Sequence, residues 1–560
     1  MTCAAAGIAD PLGPHYKARG NMASSPSPPL PRPPLRIAIV GGGFAGCCAA
    51  AALHAALPPP SAEVVLFDMG GRGAGGRCSH RRVRRADSVV LPDDAPPPAS
   101  AEVMEFDHGA QFFRAKSQVM CRLARHWVRR GWAAEWRGRF GRLSAAEGAG
   151  AAASQPSPTD FFGCPPPPSE PLYVGVGGMQ TICRQVLARD APGVAVHRGA
   201  RVSQVEWVAA DGGKGGRWRL YGTVGRAALH DTPEAEAADV ASPSRLDGGT
   251  FDLLLMTDVS SSFGTWHRAS AGLREGPAAS IAQRVGSRPR VPLFAALVAF
   301  RRPRDAVAAE RAVPLHPPFD AFTVNDSEVL WFAARNNSKP SFPGGVVDGD
   351  ETLECWTLVS TAAFAVKEIR KTTMQDEGTG AFVAQDPAYL NGPGGPSCSL
   401  LREFRKVLSA SAGGGSSAGG YGGGDIVYLQ GQRWGSALPQ PVHRLGSSCG
   451  CDDKGDRIVQ VMGVEYDPTP GGFAPPPRSG GGDEGVRNAD AGPYYWNAEE
   501  ASVVEEAAKE FEQDVPLGFF YAGDFCSRLP GRNPGIEAAC LSGLAAARCM
   551  VAEAQSRLSL

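Results

Sequence analysis

The sequence predicts an α/β protein in which a domain built on a parallel sheet is interrupted by an α+β region with an antiparallel sheet. Three observations support this prediction. Residues 35–57 read as an apolar strand, a glycine turn and an Ala-rich helix. A nearly continuous apolar run at 251–258 is typical of a strand buried on both faces. Several strand-like segments follow one another between 292 and 361 without a helical pattern between them.

The glycine turn has the spacing GxGxxG, with Gly41, Gly43 and Gly46 separated by Phe44 and Ala45. The first glycine allows a tight turn, the second lets a pyrophosphate approach the backbone, and the third lets the helix pack closely on the strand. Phosphates would then lie at the helix N-terminus, where free N–H groups and the helix dipole favour negative charge. The turn therefore predicts a Rossmann-like dinucleotide site, and a glycine-rich turn without a ligand is the alternative.

A carboxylate stands where a ribose would need it. The second apolar segment, VVLFD at 64–68, ends at Asp68, 22 residues past Gly46. This spacing is expected for an acidic residue that binds an adenosine ribose hydroxyl.

The segment after Asp68 favours FAD over NAD. RGAGGRC at 72–78 is not a P-loop, because it lacks GxxxxGK[ST]. Gly76 and its neighbouring glycines can let the backbone approach a diphosphate, and Arg77 can bind it through a charged fork. Residues 175–178 give only GxGG, so the sequence predicts no separate pyridine-nucleotide domain.

Composition excludes several other classes of protein. The net charge is -1, and the densest basic run, HRRVRR at 80–85, comes with no nucleic-acid-binding motif, so we interpret it as a solvated loop and predict no nucleic-acid partner. The 14 Cys include no CxxC pair and the 10 His form no HExxH, so we predict no metal. No apolar stretch reaches the ~20 residues of a transmembrane helix.

The motifs predict a discontinuous FAD-binding domain. It comprises 35–115, 171–260 and 515–560, and the substrate domain comprises 116–170 and 261–514. Gly/Pro-rich insertions, expected to be disordered, fall at about 144–170, 409–424 and 468–494.

Residues 1–34 form a leader with one acidic residue, Asp10. It is either a disordered extension or a transit peptide for a plastid or another organelle. Without targeting, the protein would be cytoplasmic. Met22 is an alternative start.

Four segments together resemble one enzyme family. Gly71 through Arg77 and FDHGAQFF at 106–113 resemble the GGR and DHGAQ-type segments of renalase-like FAD-dependent amine oxidoreductases, which belong to the flavin amine oxidase superfamily. YVGVGGMQTICRQVL at 173–187 is similar to the family's flavin-proximal helix start. YAGDF at 521–525, with the helix at 536–547, resembles its closing segment. The resemblance spans most of the chain from 35 to 548.

The resemblance implies a role for particular residues. The pyrophosphate would be surrounded by Gly41, Gly43, Phe44, Ala45 and Gly46. Asp68 would bind ribose, Arg72 and Arg77 the phosphates, the Val202 backbone the adenine, and Gly523 with Asp524 the ribityl-phosphate region. Gln111 and Met179 would lie near the isoalloxazine ring. The simpler interpretations are that Val202 is a core residue, Gln111 a surface residue and Met179 a packing residue.

The implied activity is oxidation of an amine or a reduced nicotinamide-like small molecule by hydride transfer to FAD, with oxygen or another electron acceptor. The flavin supplies this chemistry, so no catalytic side chain is assigned. Amine oxidases often place a Lys near the flavin, but Lys339 is interpreted here as a solvated loop residue. Trp434 either lines the substrate pocket or belongs to the core. The alternatives are a carotenoid-desaturase or protoporphyrinogen-oxidase type flavoenzyme, and a non-catalytic flavin-binding interaction or sensor protein.

Overall fold

The computed structural model describes most of the chain from residue 33 onward. The described residues are 33–91, 103–145, 171–210, 215–225, 244–258, 273, 276–286, 290–303, 319–342, 346–347, 351–372, 385–411, 426–439, 493–494, 511–526 and 535–559. Residues 1–32 of the leader, most of the three Gly/Pro-rich insertions, and residues 457–467, whose sequence RIVQVMGVEYD predicts a strand, lie outside them.

The described residues form helices and strands with the following bounds. The helices are α1 (Phe44–Ala56), α2 (Gln118–Arg129), α3 (Gln180–Gln185), α4 (Ala279–Gly286), α5 (Ala362–Ile369), α6 (Pro387–Asn391), α7 (Pro396–Ser411) and α8 (Ile536–Ser559). The strands are β1 (Leu35–Val40), β2 (Ala62–Asp68), β3 (His80–Arg84), β4 (Val103–Asp107), β5 (Ala133–Glu135), β6 (Phe140–Ser144), β7 (Tyr173–Gly175), β8 (Ala195–Arg198), β9 (Ala200–Ala209), β10 (Gly216–Val224), β11 (Ser244–Arg245), β12 (Leu253–Met256), β13 (Arg290–Pro303), β14 (Ala321–Asn325), β15 (Leu330–Arg335), β16 (Val346–Val347), β17 (Glu351–Ser360), β18 (Ile426–Pro439), β19 (Glu512–Asp514) and β20 (Phe519–Tyr521). Helix α7 extends to Ser411, so the insertion expected from 409 begins with helix.

A six-stranded sheet forms the first layer, in the order β8-β2-β1-β12-β20-β19. All its pairs are parallel except the edge pair β19–β20. Starting from β1, this is the strand order 3-2-1-4-5 of a Rossmann sheet. Strand β12 is wholly buried at the centre of the sheet, as its apolar run predicts.

Sequentially distant segments meet in this sheet. Strand β20 pairs with β12, which pairs with β1, so the last strands lie close to the first one. Strand β19 begins at Glu512, three residues before the expected boundary at 515.

Both faces of the six-stranded sheet are covered. Helices α1 and α8 pack together on one face so closely that a Cβ at Gly543 would lie 2.2 Å from the Ala45 carbonyl oxygen. The small antiparallel sheet β11-β10-β9 contributes Val202 and Trp218 to the core on the other face.

A seven-stranded sheet in the order β18-β13-β17-β15-β14-β6 forms the second layer, with β16 beside β17. Its pairs are antiparallel except for β14 with β6. Helices α5, α6 and α7 contribute to the core on one face, and the β3–β4 hairpin packs on the other. The expected α/β fold class with an antiparallel sheet is confirmed.

The basic run at 80–85 is not a solvated loop, so that interpretation is wrong. Residues 80–84 form strand β3, which pairs with β4. His80 and Arg81 are buried, and Val83 packs against the seven-stranded sheet. The sequence obscures this because buried Arg is rare, and its burial here depends on contacts with distant strands.

Candidate functional site

The three motif glycines have distinct geometries. Gly41 has φ +106°, and a Cβ there would lie 2.6 Å from Thr257 Oγ1. A Cβ at Gly46 would lie 2.0 Å from the Gly41 carbonyl oxygen, so helix and strand are in close contact. A Cβ at Gly43 would have no neighbour within 4 Å. The backbone at the N-terminus of α1 is therefore open, and it fits a bound diphosphate.

Phe44 and Ala45 begin α1 directly after Gly43, and their side chains are buried. Their backbone is therefore the part of them next to this opening. The Phe44 ring packs against Trp127 at 5.6 Å between centroids. The N–H groups of a helix's first turn have no partner within the helix.

Asp68 lies at the carboxyl end of β2, beside the glycine turn. Its carboxylate accepts hydrogen bonds from the N–H groups of Gly42, at 2.6 Å, and Gly70, at 2.8 Å. Burial raises the pKa of Asp68 to about 6. The hydrogen bonds from the two N–H groups lower this pKa, but burial has the larger effect. An added hydroxyl donor such as a ribose would stabilise the buried charge.

The segment after Asp68 folds back on the glycine turn. Gly76 has φ +54°, and a Cβ there would lie 3.5 Å from Gly43 Cα. Arg77 forms a two-pronged ion pair with Asp524, in which Nη1 donates to Oδ2 at 3.0 Å. Arg77 also donates to the Ala437 carbonyl oxygen at 3.1 Å. Burial disfavours the charged guanidinium, but Asp524 outweighs it and raises the pKa of Arg77.

The remaining cofactor candidates lie in different surroundings. Gly523, at φ +143°, donates its N–H to Ser542 Oγ at 2.9 Å, just before Asp524. Val202 is buried in the core beneath the six-stranded sheet, where it pairs with Gly222. Arg72 is half-buried and lies close enough to Arg81 and His108 for its charge to lower the pKa of both.

A buried polar cluster, which we name the Asp107 cluster, joins Asp107, Lys339, Gln111 and Met179. Lys339 Nζ donates to Asp107 Oδ2 at 2.9 Å and to Gln111 Oε1 at 3.0 Å. The Met179 N–H donates to Asp107 Oδ1 at 2.8 Å at the start of α3. Gln111 Nε2 donates to the Asp107 carbonyl oxygen at 2.6 Å. The DHGAQ segment and the GGM segment thus meet at one carboxylate.

The cluster contradicts two of the simpler interpretations. Lys339 is not a solvated loop residue, because its side chain is 0% exposed. Gln111 is buried rather than on the surface. Burial lowers the pKa of Lys339, although Asp107 opposes this. Burial alone would raise the pKa of Asp107, but Lys339 and His80 outweigh it and hold the pKa below its usual value.

The sequence gives no direct sign of the Asp107–Lys339 pair, because 232 positions separate the two residues. Two neighbours fix Asp107 in place. Its N–H donates to Asn336 Oδ1 at 3.1 Å, and Thr357 Oγ1 donates to its carbonyl oxygen at 2.8 Å. The local feature here is the short segment NNSK at 336–339. It forms one tight turn after β15 that carries both Asn336 and Lys339, the two residues of this segment that contact Asp107.

Trp434 lies at the edge of this region, on β18. Its indole N–H donates to the His108 carbonyl oxygen at 2.8 Å, and its ring stacks on the His108 ring. A Cβ at Gly109 would lie 3.4 Å from the indole, so Trp434 covers the DHGAQ segment.

A comparison with known protein families finds a match, and the match includes the glycine turn. Residues 39–127 match the family described as NAD(P)-binding Rossmann-like domain. The chain contains a Rossmann-like dinucleotide-binding domain. The match begins in the last two residues of β1 and covers α1, β2 and the GGR turn. Among curated proteins none matches the chain.

Solved structures with a similar fold include several oxidoreductases. One is a putative protoporphyrinogen oxidase from Exiguobacterium sp. 255-15, at 11% identity and TM-score 0.38, covering 72% of this chain and 87% of that one. Another is a putrescine oxidase variant redesigned in cofactor binding, at 11% identity and TM-score 0.43, covering 93% and 100%. A third is a flavin-dependent halogenase, at 13% identity and TM-score 0.32, covering 71% and 50%.

Two further observations concern the described residues alone. None of their helices is both long and apolar enough to cross a membrane. No group of three or more His, Cys, Asp or Glu within the described ranges is arranged to hold a metal ion.

Proposed function

We propose that this chain is an FAD-dependent oxidoreductase of the renalase-like amine-oxidase type. The observation that carries the proposal is the convergence of three features on one place. These are the open turn at Gly43, the ribose-type acceptor Asp68 and the Arg77–Asp524 pair. These features suit a dinucleotide that binds with one half at the glycine turn and extends with its other half past Asp524. They suit a nucleotide bound only at the glycine turn less well.

The proposed roles follow the geometry. The backbone of Gly41, Gly43, Phe44, Ala45 and Gly46 holds the pyrophosphate, with Gly76 close to the same turn. Asp68 accepts from ribose hydroxyls. Arg77 supplies positive charge beside the phosphates, assisted by Arg72, and Asp524 with Gly523 holds the ribityl region. Val202 contacts the adenine through its backbone.

FAD, when bound, supplies the redox chemistry by accepting a hydride from the substrate. The family resemblance puts Gln111 and Met179, two members of the Asp107 cluster, near the isoalloxazine ring. The cluster is therefore expected beside that ring. Lys339 has three N–H donors, and two are used by Asp107 and Gln111. The ammonium also lies over the Trp136 and Phe342 rings, and the buried cation orients the segment from Gly109 to Gln111.

The proposed substrate is an amine or a reduced nicotinamide-like small molecule, with oxygen or another electron acceptor. The test is anaerobic stopped-flow mixing of the purified protein with a panel of amines, NAD(P)H isomers and tetrapyrroles. We expect the flavin absorbance near 450 nm to bleach with an amine or a nicotinamide-like compound. Bleaching by tetrapyrroles alone would favour the protoporphyrinogen-oxidase type. Tight FAD binding with no bleaching by any reductant would support a sensor protein.

A further inference from the structure

Strand β3 buries Arg81 beside two neutral glutamine side chains. The residue is 7% exposed. Its Nη1 donates to Gln430 Oε1 at 2.7 Å and its Nη2 to Gln432 Oε1 at 3.1 Å, and both acceptors are neutral. Within the described part of the chain no carboxylate pairs with Arg81, and its Nε has no hydrogen-bond partner. A buried guanidinium normally has an anionic partner, because an unpaired charge is costly to remove from water.

The neighbour His108 is also unsatisfied. Its ring is buried, and neither ring nitrogen has a hydrogen-bond partner among the described residues. Burial, reinforced by the positive charges of Arg81 and Arg72, lowers the pKa of His108 well below its usual value. The imidazole is therefore neutral near pH 7 and can donate one N–H to an acceptor.

Strand β18 connects this place to the proposed flavin site. Its side chains alternate, so Tyr428, Gln430, Gln432 and Trp434 share one face. Ala437, whose carbonyl oxygen binds Arg77, lies five positions beyond Gln432, a span of roughly 17 Å at strand spacing. Between them, Trp434 contacts the DHGAQ segment. The unsatisfied groups therefore lie beside the DHGAQ segment, which the family resemblance puts near the isoalloxazine ring.

We infer that a carboxylate group of the substrate binds in an Arg81 pocket formed by Arg81, His108, Tyr428, Gln430, Gln432 and Trp434. This inference rests on the proposed function, since it names the class of substrate that the same site takes. The two glutamines accept from the Nη groups, the Tyr428 hydroxyl lies beside the guanidinium, and Nε has no hydrogen-bond partner among the described residues. The Nε–H and the positive charge of the guanidinium suit an oxygen of a carboxylate. The substrate is a small molecule with an oxidisable carbon at one end and a carboxylate at the other.

The test uses benzoate as the probe on the full-length protein with its flavin, and measures binding by calorimetry at constant ionic strength. We expect saturable binding to the wild type together with a shift in the flavin spectrum. Arg81→Met is expected to weaken benzoate binding about 10- to 100-fold, as expected for a lost hydrogen bond to a charged group. Arg84→Met, on the same strand but exposed and paired with Asp87, is expected to bind as the wild type does.

A stability measurement separates a ligand site from a structural role. Because Arg81 has no anionic partner among the described residues, Arg81→Met is expected to keep or raise the Tm measured without benzoate, whereas a structural role would lower it. If Arg81→Met does not fold, Arg81→Lys serves instead, since it keeps the charge and loses the fork; it is expected to weaken benzoate binding by about tenfold.

Three results would overturn the inference: no benzoate binding to the wild type, unchanged binding in the Arg81 variant, or stronger binding of inorganic phosphate than of benzoate. A protein purified without flavin that rejects added FAD would instead refute the proposed function. The two failures are distinct, because calorimetry detects benzoate without any flavin signal.

Discussion

Replacing Arg77 with Ala is expected to release most of the bound FAD, with an increase in Kd of roughly 10- to 100-fold. Both Nη groups of Arg77 bind Asp524, so in the proposed site the guanidinium supplies positive charge beside the diphosphate, and a hydrogen bond to a charged group contributes about 1.5–3 kcal/mol. The change also leaves Asp524 buried without its partner, because that side chain is 3% exposed. An unpaired buried carboxylate near two phosphates adds repulsion to the loss of attraction.

FAD occupancy, read from the flavin-to-protein absorbance ratio after gel filtration, measures this effect. Asp68→Ala should also lower occupancy, but no more than Arg77→Ala, because water can partly replace the acceptor for ribose. Arg84→Ala is the matched control, since Arg84 is exposed and pairs only with Asp87 among the groups described. Equal loss in all three variants would contradict the assigned role of the GGR turn.

Replacing Lys339 with Met is expected to slow flavin reduction by about 10²-fold while FAD stays bound. General acid or base groups contribute roughly 10²–10⁴-fold, and in the proposed site Lys339 lies beside the expected position of the isoalloxazine ring. The variant also leaves Asp107 buried and uncompensated, so some loss of stability is expected. The single-turnover rate of reduction by the best substrate of the panel is the measurement.

Two controls separate a role in the reaction from a role in folding. Lys371→Met removes an exposed lysine that pairs with Glu368, and it should leave the reduction rate unchanged. Asp107→Asn combined with Lys339→Met removes both charges, so it should recover stability without recovering the rate. A full rate in the Lys339 variant, or recovery of the rate in the double variant, would show that Lys339 serves only the fold.

The sequence predicts the fold well where a local pattern is sufficient. The strand and glycine turn at 35–46, the buried strand at 251–258 and the strand at 292–300 all depend on short apolar runs or on glycine spacing. Strand β19 is missed because three residues, EQD, carry no strand pattern of their own. They join the sheet only because β20 offers an edge with unpaired backbone groups.

The candidate site is predicted less completely, because its polar contacts join distant parts of the chain. Arg77 and Asp524 are both expected near FAD, but their mutual ion pair joins residues 447 positions apart, which follow two strands, β2 and β20, of the same sheet. Lys339 and Arg81 are read as solvated because lysine and arginine are usually exposed. Their burial becomes clear only when the β3–β4 hairpin is packed against the seven-stranded sheet.

The central claim, that the chain binds FAD at the open turn beside Gly43, is tested most directly by identifying the cofactor of the purified full-length protein. We expect a yellow protein that releases FAD on denaturation, at about one FAD per chain, with no covalently retained flavin. FMN in place of FAD, or a colourless protein that does not take up added FAD, would contradict the claim.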